Sequence, residues 1–246
     1  MKSTPILMQG QLILASRRGD KTQTRRERGL KEINKNPDNW GVDQYAFRYG
    51  KFGVWFRWAP TSSTADVAAS SQMPIFIPCP WGGPGDLIWM RETWRPKVLQ
   101  SCDYSDLSID YKADGGRIYF SENDIPEKWM LPKAAKSEKN VSPLFMPRWA
   151  SRITGLLIDV RVERVNQISR EDAIAEGISR VGGGKLRWEN WSGKEGQSGF
   201  TPQAAFALLY ESINGPGSFD NRWNWVLTYK TIAANVDGVI SGDLAV

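Results

Sequence analysis

The sequence predicts a β-rich α+β fold: a small mixed barrel with two or three short helices packed on it and long loops inserted between strands. Three observations carry this. Short apolar or alternating runs bounded by Gly, Pro and Asn outnumber the helical patterns. The helical patterns are short and lie between strands. No stretch repeats another. With 246 residues, 41% of them hydrophobic, the chain can bury a sizeable core. We expect one domain over 1–230, with insertions at about 28–80, 95–145 and 179–200, and a loosely held tail at 231–246.

Residues 5–8 read as a strand, and residues 10–18 as a helix with a rough stripe of Leu12, Ile13 and Ala15. Gly19 closes that helix as a C′ glycine, and Arg17 and Arg18 sit in its last turn, where cations suit the dipole. A basic strand follows from Lys21. Residues 31–43 are polar and turn-rich. A hairpin is expected from Tyr45-Ala46-Phe47-Arg48 and Gly53-Val54-Trp55-Phe56-Arg57-Trp58, with its turn near Gly50. Residues 61–72 are small and polar and read as loop.

Residues 80–86 form a turn cluster, and 87–94 are the clearest buried strand. A second hairpin is expected between 108–112 and 117–120, because Asp114-Gly115 is a strong hairpin signal. Residues 122–144 read as loop. A long strand is expected over 153–165, with Ile158, Val160 and Val162 inward and Asp159, Arg161 and Glu163 outward. Ser169 and Asp172 make a capping-box pattern for a helix that stops at Gly177. Glycine-rich 180–200 reads as loop. Thr201-Pro202 opens a helix with Phe206, Leu209, Tyr210 and Ile213 on one face. A last strand covers 223–230.

Composition narrows the chemistry. There is no histidine, and the two cysteines, Cys79 and Cys102, have no partners with metal-ligand spacing. We expect no metal and no cofactor. Too few cysteines for a disulfide framework, no apolar run of membrane-crossing length and no signal-peptide pattern give the expectation of a cytoplasmic protein without a membrane partner. A net charge of +5 favours an anionic partner, a class that includes nucleotides and RNA. The 12 tryptophans either pack a β-rich core or stack on bases; packing is the better reading for most.

Without histidine, a lysine beside a hydroxyl is one way to activate a nucleophile. Gly19-Asp20-Lys21-Thr22-Gln23-Thr24-Arg25-Arg26 supplies both. On a strand, Lys21, Gln23 and Arg25 share one face, and Thr22, Thr24 and Arg26 the other. A bend after Gly19 would be needed to bring the Lys21 ammonium to Thr24.

That stretch resembles the G-x-K-T-x-T-x-R signature near the start of ASCH domains. Gly85-Asp86-Leu87-Ile88-Trp89-Met90-Arg91-Glu92-Thr93-Trp94 is similar to the family's G-D-x-L-x-V-R-E-x-W strand. Ala173-Ile174-Ala175-Glu176-Gly177 resembles its A-x-x-E-G helix. Ser212-Ile213-Asn214-Gly215, Trp223-Asn224-Trp225-Val226 and residues 146–153 are similar to a larger subgroup common in bacteriophage and prophage genomes. The blocks follow the family's order and cover well under half of the chain. The resemblance implies a PUA-like β-barrel of the kind associated with RNA binding. Small bacterial members are amidohydrolases that deacylate N4-acetylcytidine. Their catalytic lysine, threonine and glutamate fall on Lys21, Thr24 and Glu176, although the surroundings of Glu176 are closer to the phage-type pattern.

Amide hydrolysis needs a nucleophile, a base, an oxyanion donor and an acid for the leaving amine. Thr24 would attack or position water, Lys21 would be the base if burial and neighbouring arginines lower its pKa, and Glu176 would protonate the leaving nitrogen. Without the resemblance, each has a plainer role: a solvated charge, a strand former and a surface carboxylate. Arg17, Arg18, Arg25, Arg26 and Arg28 form a basic cluster suited to phosphate. Trp89 and Trp94 differ in parity, so at most one lines a pocket; Trp89 is the candidate. Glu92 is expected either to pair with an arginine of the cluster or to face the nucleotide-binding pocket; the ion pair is the better reading, because an unpaired buried carboxylate is costly. Three readings follow: a metal-independent hydrolase, an RNA-binding module without chemistry, and a phage accessory scaffold.

Overall fold

The computed structural model describes residues 1–59, 73–100, 105–133, 139–180, 188–189 and 198–242. In chain order its elements begin β1 (Ser3–Leu7), α1 (Gly10–Arg18), β2 (Gln23–Arg26), β3 (Trp40–Arg48), β4 (Lys51–Trp58), β5 (Ile75–Pro78), β6 (Leu87–Arg91), β7 (Trp94–Gln100), β8 (Ser105–Tyr111) and β9 (Arg117–Phe120). They continue with β10 (Thr154–Arg164), α2 (Arg170–Ala175), β11 (Ser179–Arg180), β12 (Trp188–Glu189), β13 (Ser198–Gly199), α3 (Pro202–Asn214), β14 (Trp223–Ile232) and α4 (Val236–Ser241). The fold is α+β and β-rich, as expected; among the described residues no barrel closes. Contacts group the chain into two compact units, and the expected 61–72 loop and Cys102 lie outside the described residues.

The first unit comprises Met1–Lys2, Asp20–Asp86 and Leu156–Lys230. In it, β2 pairs antiparallel with β14, which neighbours β10. The strand β10 departs from strict alternation. Leu157, Val160 and Val162 are buried, but Ile158 is 58% exposed beside exposed Asp159, so two consecutive residues face out and the inward reading of Ile158 fails. The β3–β4 hairpin has the expected turn, with Tyr49 and Gly50 between the paired Arg48 and Lys51, and β5 adds to it antiparallel. Its inner face buries Val54 and Phe56, and Phe56 meets Trp223 edge-on at 5.4 Å.

Thr201 caps α3 by accepting from the Ala204 amide at 3.2 Å, with Pro202 in the first turn. Ala205, Phe206, Leu209 and Tyr210 are buried, whereas Ile213, a turn later, is 45% exposed. The stretch read as loop over 180–200 holds β12 and β13, which with β11 make a small antiparallel sheet. A Cβ on Gly199 would stand 2.4 Å from the Ala205 amide nitrogen, so glycine is what lets β13 lie against α3.

The second unit comprises Ser3–Gly19, Leu87–Gly155 and Thr231–Val246. Gly19, at φ 81°, closes α1 as expected. Here β1 and β6 pair in parallel. The expected continuous strand over 87–94 is two strands: β6 ends at Arg91 and β7 begins at Trp94. The latter forms an antiparallel meander with β8 and β9, turning at Asp114-Gly115. Its core gathers Trp94, Leu107, Ile109, Tyr111, Val141, Met146 and Ala150. Trp129 and Trp149 pack edge-on at 5.2 Å beside it, so part of the stretch read as loop contributes to a core.

The tail departs most from expectation. Residues 236–241 form α4, with Val236 and Val239 buried one turn apart. Asn235 accepts from the Asp237 amide at 2.8 Å as the N-cap. Its side-chain amide donates to the carbonyls of Arg148, Trp149 and Ser151 at 3.0, 3.0 and 2.7 Å. One side chain thus starts the helix and ties it to the 148–151 turn. Asn235→Ala is expected to cost about 1–3 kcal/mol, since it removes a cap and leaves carbonyls without donors. Urea unfolding measures this; a loss under about 0.5 kcal/mol would mean the tail carries no stability.

Candidate functional site

The candidate site lies in the first unit, where the start of β2 meets the end of α2. Ser169 accepts from the Asp172 amide at 3.0 Å and so caps α2 as read, but the Asp172 carboxylate of the expected capping box turns to Gln23, Arg25 and Arg161 instead. The helix gives way at Glu176 to Gly177, whose φ is 95°. Lys21 and Glu176 then face each other as an antiparallel bridge. The Thr22 amide donates to Ala175 O at 2.8 Å, and the Tyr229 amide to Thr22 O at 2.8 Å. These bonds hold two residues distant in sequence in fixed register.

The Lys21 ammonium is 1% exposed. It donates to Gln23 O at 2.7 Å, Glu176 O at 2.9 Å and Glu176 Oε2 at 2.7 Å. Three acceptors match its three protons, so the geometry suits the charged form. Burial pulls its pKa below the ordinary 10.5; the Glu176 carboxylate pulls the other way, and Arg26 and Arg25 act with burial. Thr24 lies on the other strand face, as alternation requires, paired with Leu227. Its buried hydroxyl has no hydrogen-bond partner among the described residues. The bend that would bring Lys21 to Thr24 does not occur; the lysine turns to Glu176 instead.

Arg25 shares Lys21's face and is equally enclosed. One guanidinium nitrogen donates to Gln23 Oε1 at 2.7 Å and Glu176 Oε1 at 3.2 Å. The other donates to Glu163 Oε2 and Asp172 Oδ2, each at 2.8 Å. Arg161 joins from β10, donating to Glu163 at 2.6 Å and Asp172 at 2.7 Å. Gln23 donates to Asp172 Oδ1 at 3.0 Å. Burial pushes the Asp172 carboxyl up, but hydrogen bonds from Gln23 and Arg25 and the charges of Arg25 and Arg161 outweigh it, leaving the group below its ordinary 3.8.

Sequence reasoning assigned Glu163 and Asp172 to solvent and to a cap. Their signal was present: Arg161 and Glu163 share a face of β10, and Asp172 stands one helical turn before Glu176.

The other expected binding residues are placed differently. Arg26 donates to Arg25 O at 2.9 Å. Arg17 pairs with Asp114 in the second unit, and Arg18 is exposed at the end of α1. Trp89 is 4% exposed in β6, with the Arg91 guanidinium 4.8 Å from its ring centroid. Glu92 is ion-paired, as expected, but its partner is Arg152 rather than an arginine of the basic cluster, through contacts of 2.8 and 2.9 Å. The cause is local: Arg152 also reaches Asp114 and stacks 4.0 Å over Tyr111, so it bridges two carboxylates. Burial raises the Glu92 pKa, and Arg152 opposes the shift. None of the described tryptophans is exposed, which supports packing as their main role.

The chain matches no family model, no curated protein and no solved structure. The site's chemistry therefore rests on its geometry. Among the described residues, no group of three or more Cys, Asp or Glu side chains is arranged to hold a metal ion, and no helix is long and apolar enough to cross a membrane.

Two outcomes follow. Glu176→Ala removes the shared partner of Lys21 and Arg25 and should cost about 3–5 kcal/mol, while Lys21→Met, which leaves Glu176 paired with Arg25, should cost less. Denaturant titration orders the two; the reverse order would contradict the shared-partner geometry. Asp172 has a folded pKa below 3.8, so the stability it adds is complete above pH 3.8 and is lost as the pH falls through the folded value. The stability gap between wild type and Asp172→Asn should therefore narrow on acidification below 3.8, and a gap constant with pH would refute the pairing.

Proposed function

We propose that this chain is an ASCH-type domain with PUA-like character that recognises a nucleoside or RNA and hydrolyses N4-acylated cytidine without a metal. One observation carries the reading: Lys21 Nζ and Glu176 Oε2 stand 2.7 Å apart, although the residues are 155 positions apart in sequence. These are two of the three positions that the motif resemblance selects. In the reaction, water adds across the exocyclic amide, giving a carboxylic acid and the free N4 amine. Lys21 takes a proton from the attacking oxygen once it has given up one to an acceptor, and its lowered pKa makes that neutral form easier to reach. Glu176 relays a proton to the leaving nitrogen. Thr24, the third position, carries a buried hydroxyl free of hydrogen bonds among the described residues, on the opposite face of β2, so no step of the reaction is assigned to it.

A second reading is favoured by how many bonds the two buried cations already make, although Arg25 Nε stays without a partner among the described residues. Lys21 has three acceptors and Arg25 four, so the same residues serve as an internal brace in a domain that binds without chemistry.

Purified protein should release acetate from N4-acetylcytidine, and Lys21→Met should lower kcat by at least about 100-fold while remaining folded by circular dichroism. Activity should rise with pH as Lys21 loses its proton. Absence of turnover in folded wild type would reject the hydrolase and leave the brace.

A further inference from the structure

The outer face of the β3–β4–β5 sheet carries a second, independent set of chemistry. Directly paired residues share a sheet face, and so do residues two apart on one strand. Arg48 pairs with Lys51, and Trp55 with Phe76, and Lys51, Gly53, Trp55 and Arg57 follow at intervals of two. Val54 and Phe56, of the other parity, are buried in the unit. The outward face is therefore basic and aromatic in alternation. The Arg48 guanidinium lies 4.9 Å from the ring centroids of both Tyr49 and Trp55. Trp55 in turn meets Phe76 at 5.4 Å. A Cβ on Gly53 would stand 2.6 Å from the Phe76 ring, so glycine is what lets that ring lie across β4.

The turn adds a backbone argument. Tyr49 has φ 51° and Gly50 φ 69°, the left-handed pair that a two-residue hairpin turn requires. Glycine or asparagine is the ordinary occupant of the first position. Tyr49 is the one non-glycine with positive φ among the described residues, and it is 85% exposed. Its ring contributes nothing to a core, and its backbone is disfavoured there. Within the chain its ring meets Arg48, which also donates to its hydroxyl at 3.2 Å, so a disfavoured backbone holds an exposed tyrosine–arginine pair at the turn.

Among the described residues, no carboxylate pairs with Arg48, Lys51 or Arg57. Asp43 is the one acidic residue across the two strands, and the register shifts around it. Three cations interleaved with exposed Tyr49 and half-buried Trp55 complement a chain of phosphates carrying unpaired bases. A duplex offers the phosphates but keeps its bases stacked inside.

We propose that this face, led by Tyr49 and Arg48, binds a single-stranded polynucleotide. It is separate from the Lys21 site and does not depend on hydrolysis there.

Fluorescence anisotropy with a labelled oligouridylate of about 12 nucleotides tests it. Wild type should bind, with affinity falling as salt rises. Tyr49→Gly should weaken binding by about tenfold, the loss of one base-stacking ring, while the melting temperature stays level or rises because glycine suits the turn. Arg48→Gln should weaken binding and flatten the salt slope by about one. Three results would overturn the proposal: no binding by wild type, equal binding by Tyr49→Gly, or displacement by inorganic polyphosphate as effective as by unlabelled oligouridylate. N4-acetylcytidine turnover in Tyr49→Gly reads the Lys21 site separately, so either proposal can fail alone.

Discussion

A buried cation needs compensating charge within hydrogen-bond reach, and this requirement organises the first unit. Lys21 and Arg25 are both nearly inaccessible. An unpaired ammonium or guanidinium there would cost several kcal/mol, roughly the whole stability of an ordinary domain. Glu176 answers both cations, one carboxylate oxygen each. Glu163 and Asp172 answer the second terminal nitrogen of Arg25 and bring in Arg161, while Nε has no hydrogen-bond partner among the described residues. Strands β2 and β10 and helix α2 are thereby committed to one arrangement, because displacing any of them would leave a charge without its partner.

The second unit solves the same problem with a smaller set. Arg152 holds Glu92 and Asp114 and lies flat on Tyr111, whose hydroxyl donates to Ala150 O at 2.8 Å. The planar guanidinium satisfies two carboxylates and covers an aromatic face, which a lysine could not do. The units differ in one chemically important respect. In the second, the buried cation is an arginine that keeps its charge throughout the physiological range. In the first, one of the buried cations is a lysine, and burial draws its pKa below the ordinary value.

What could be read from the sequence follows the range of the forces involved. Elements set by local chemistry were legible: the Gly19 stop, the Ser169 and Thr201 caps, the Tyr49-Gly50 and Asp114-Gly115 turns, and the face shared by Lys21, Gln23 and Arg25. What failed depended on distant contacts. The tail is helical because Asn235 reaches the 148–151 turn, which no nearby residue announces. The break between β6 and β7 falls at Glu92-Thr93, inside a stretch whose apolar composition suits one strand. The partner of Glu92 was misread because proximity in a sequence motif stood in for proximity in space. The convergence of Lys21 with Glu176 was legible only through motif resemblance, and the surrounding Glu163 and Asp172 were not.

The aromatic residues divide by the same logic. The described tryptophans lie buried or half-buried, packed edge-on or under guanidinium groups, where large rings stabilise sheets of modest size. The high tryptophan content therefore says more about how the two units are filled than about what they bind. Among the exposed rings of the described residues, Tyr49 is the one at a turn in a backbone conformation that packing does not ask of it. A residue whose local backbone preference is opposed, and whose side chain is not used inside, points outward for its explanation. By that criterion the buried Lys21–Glu176 pair alone is ambiguous, because bracing the fold already accounts for it, whereas Tyr49, whose ring and hydroxyl meet the exposed Arg48, fills no core.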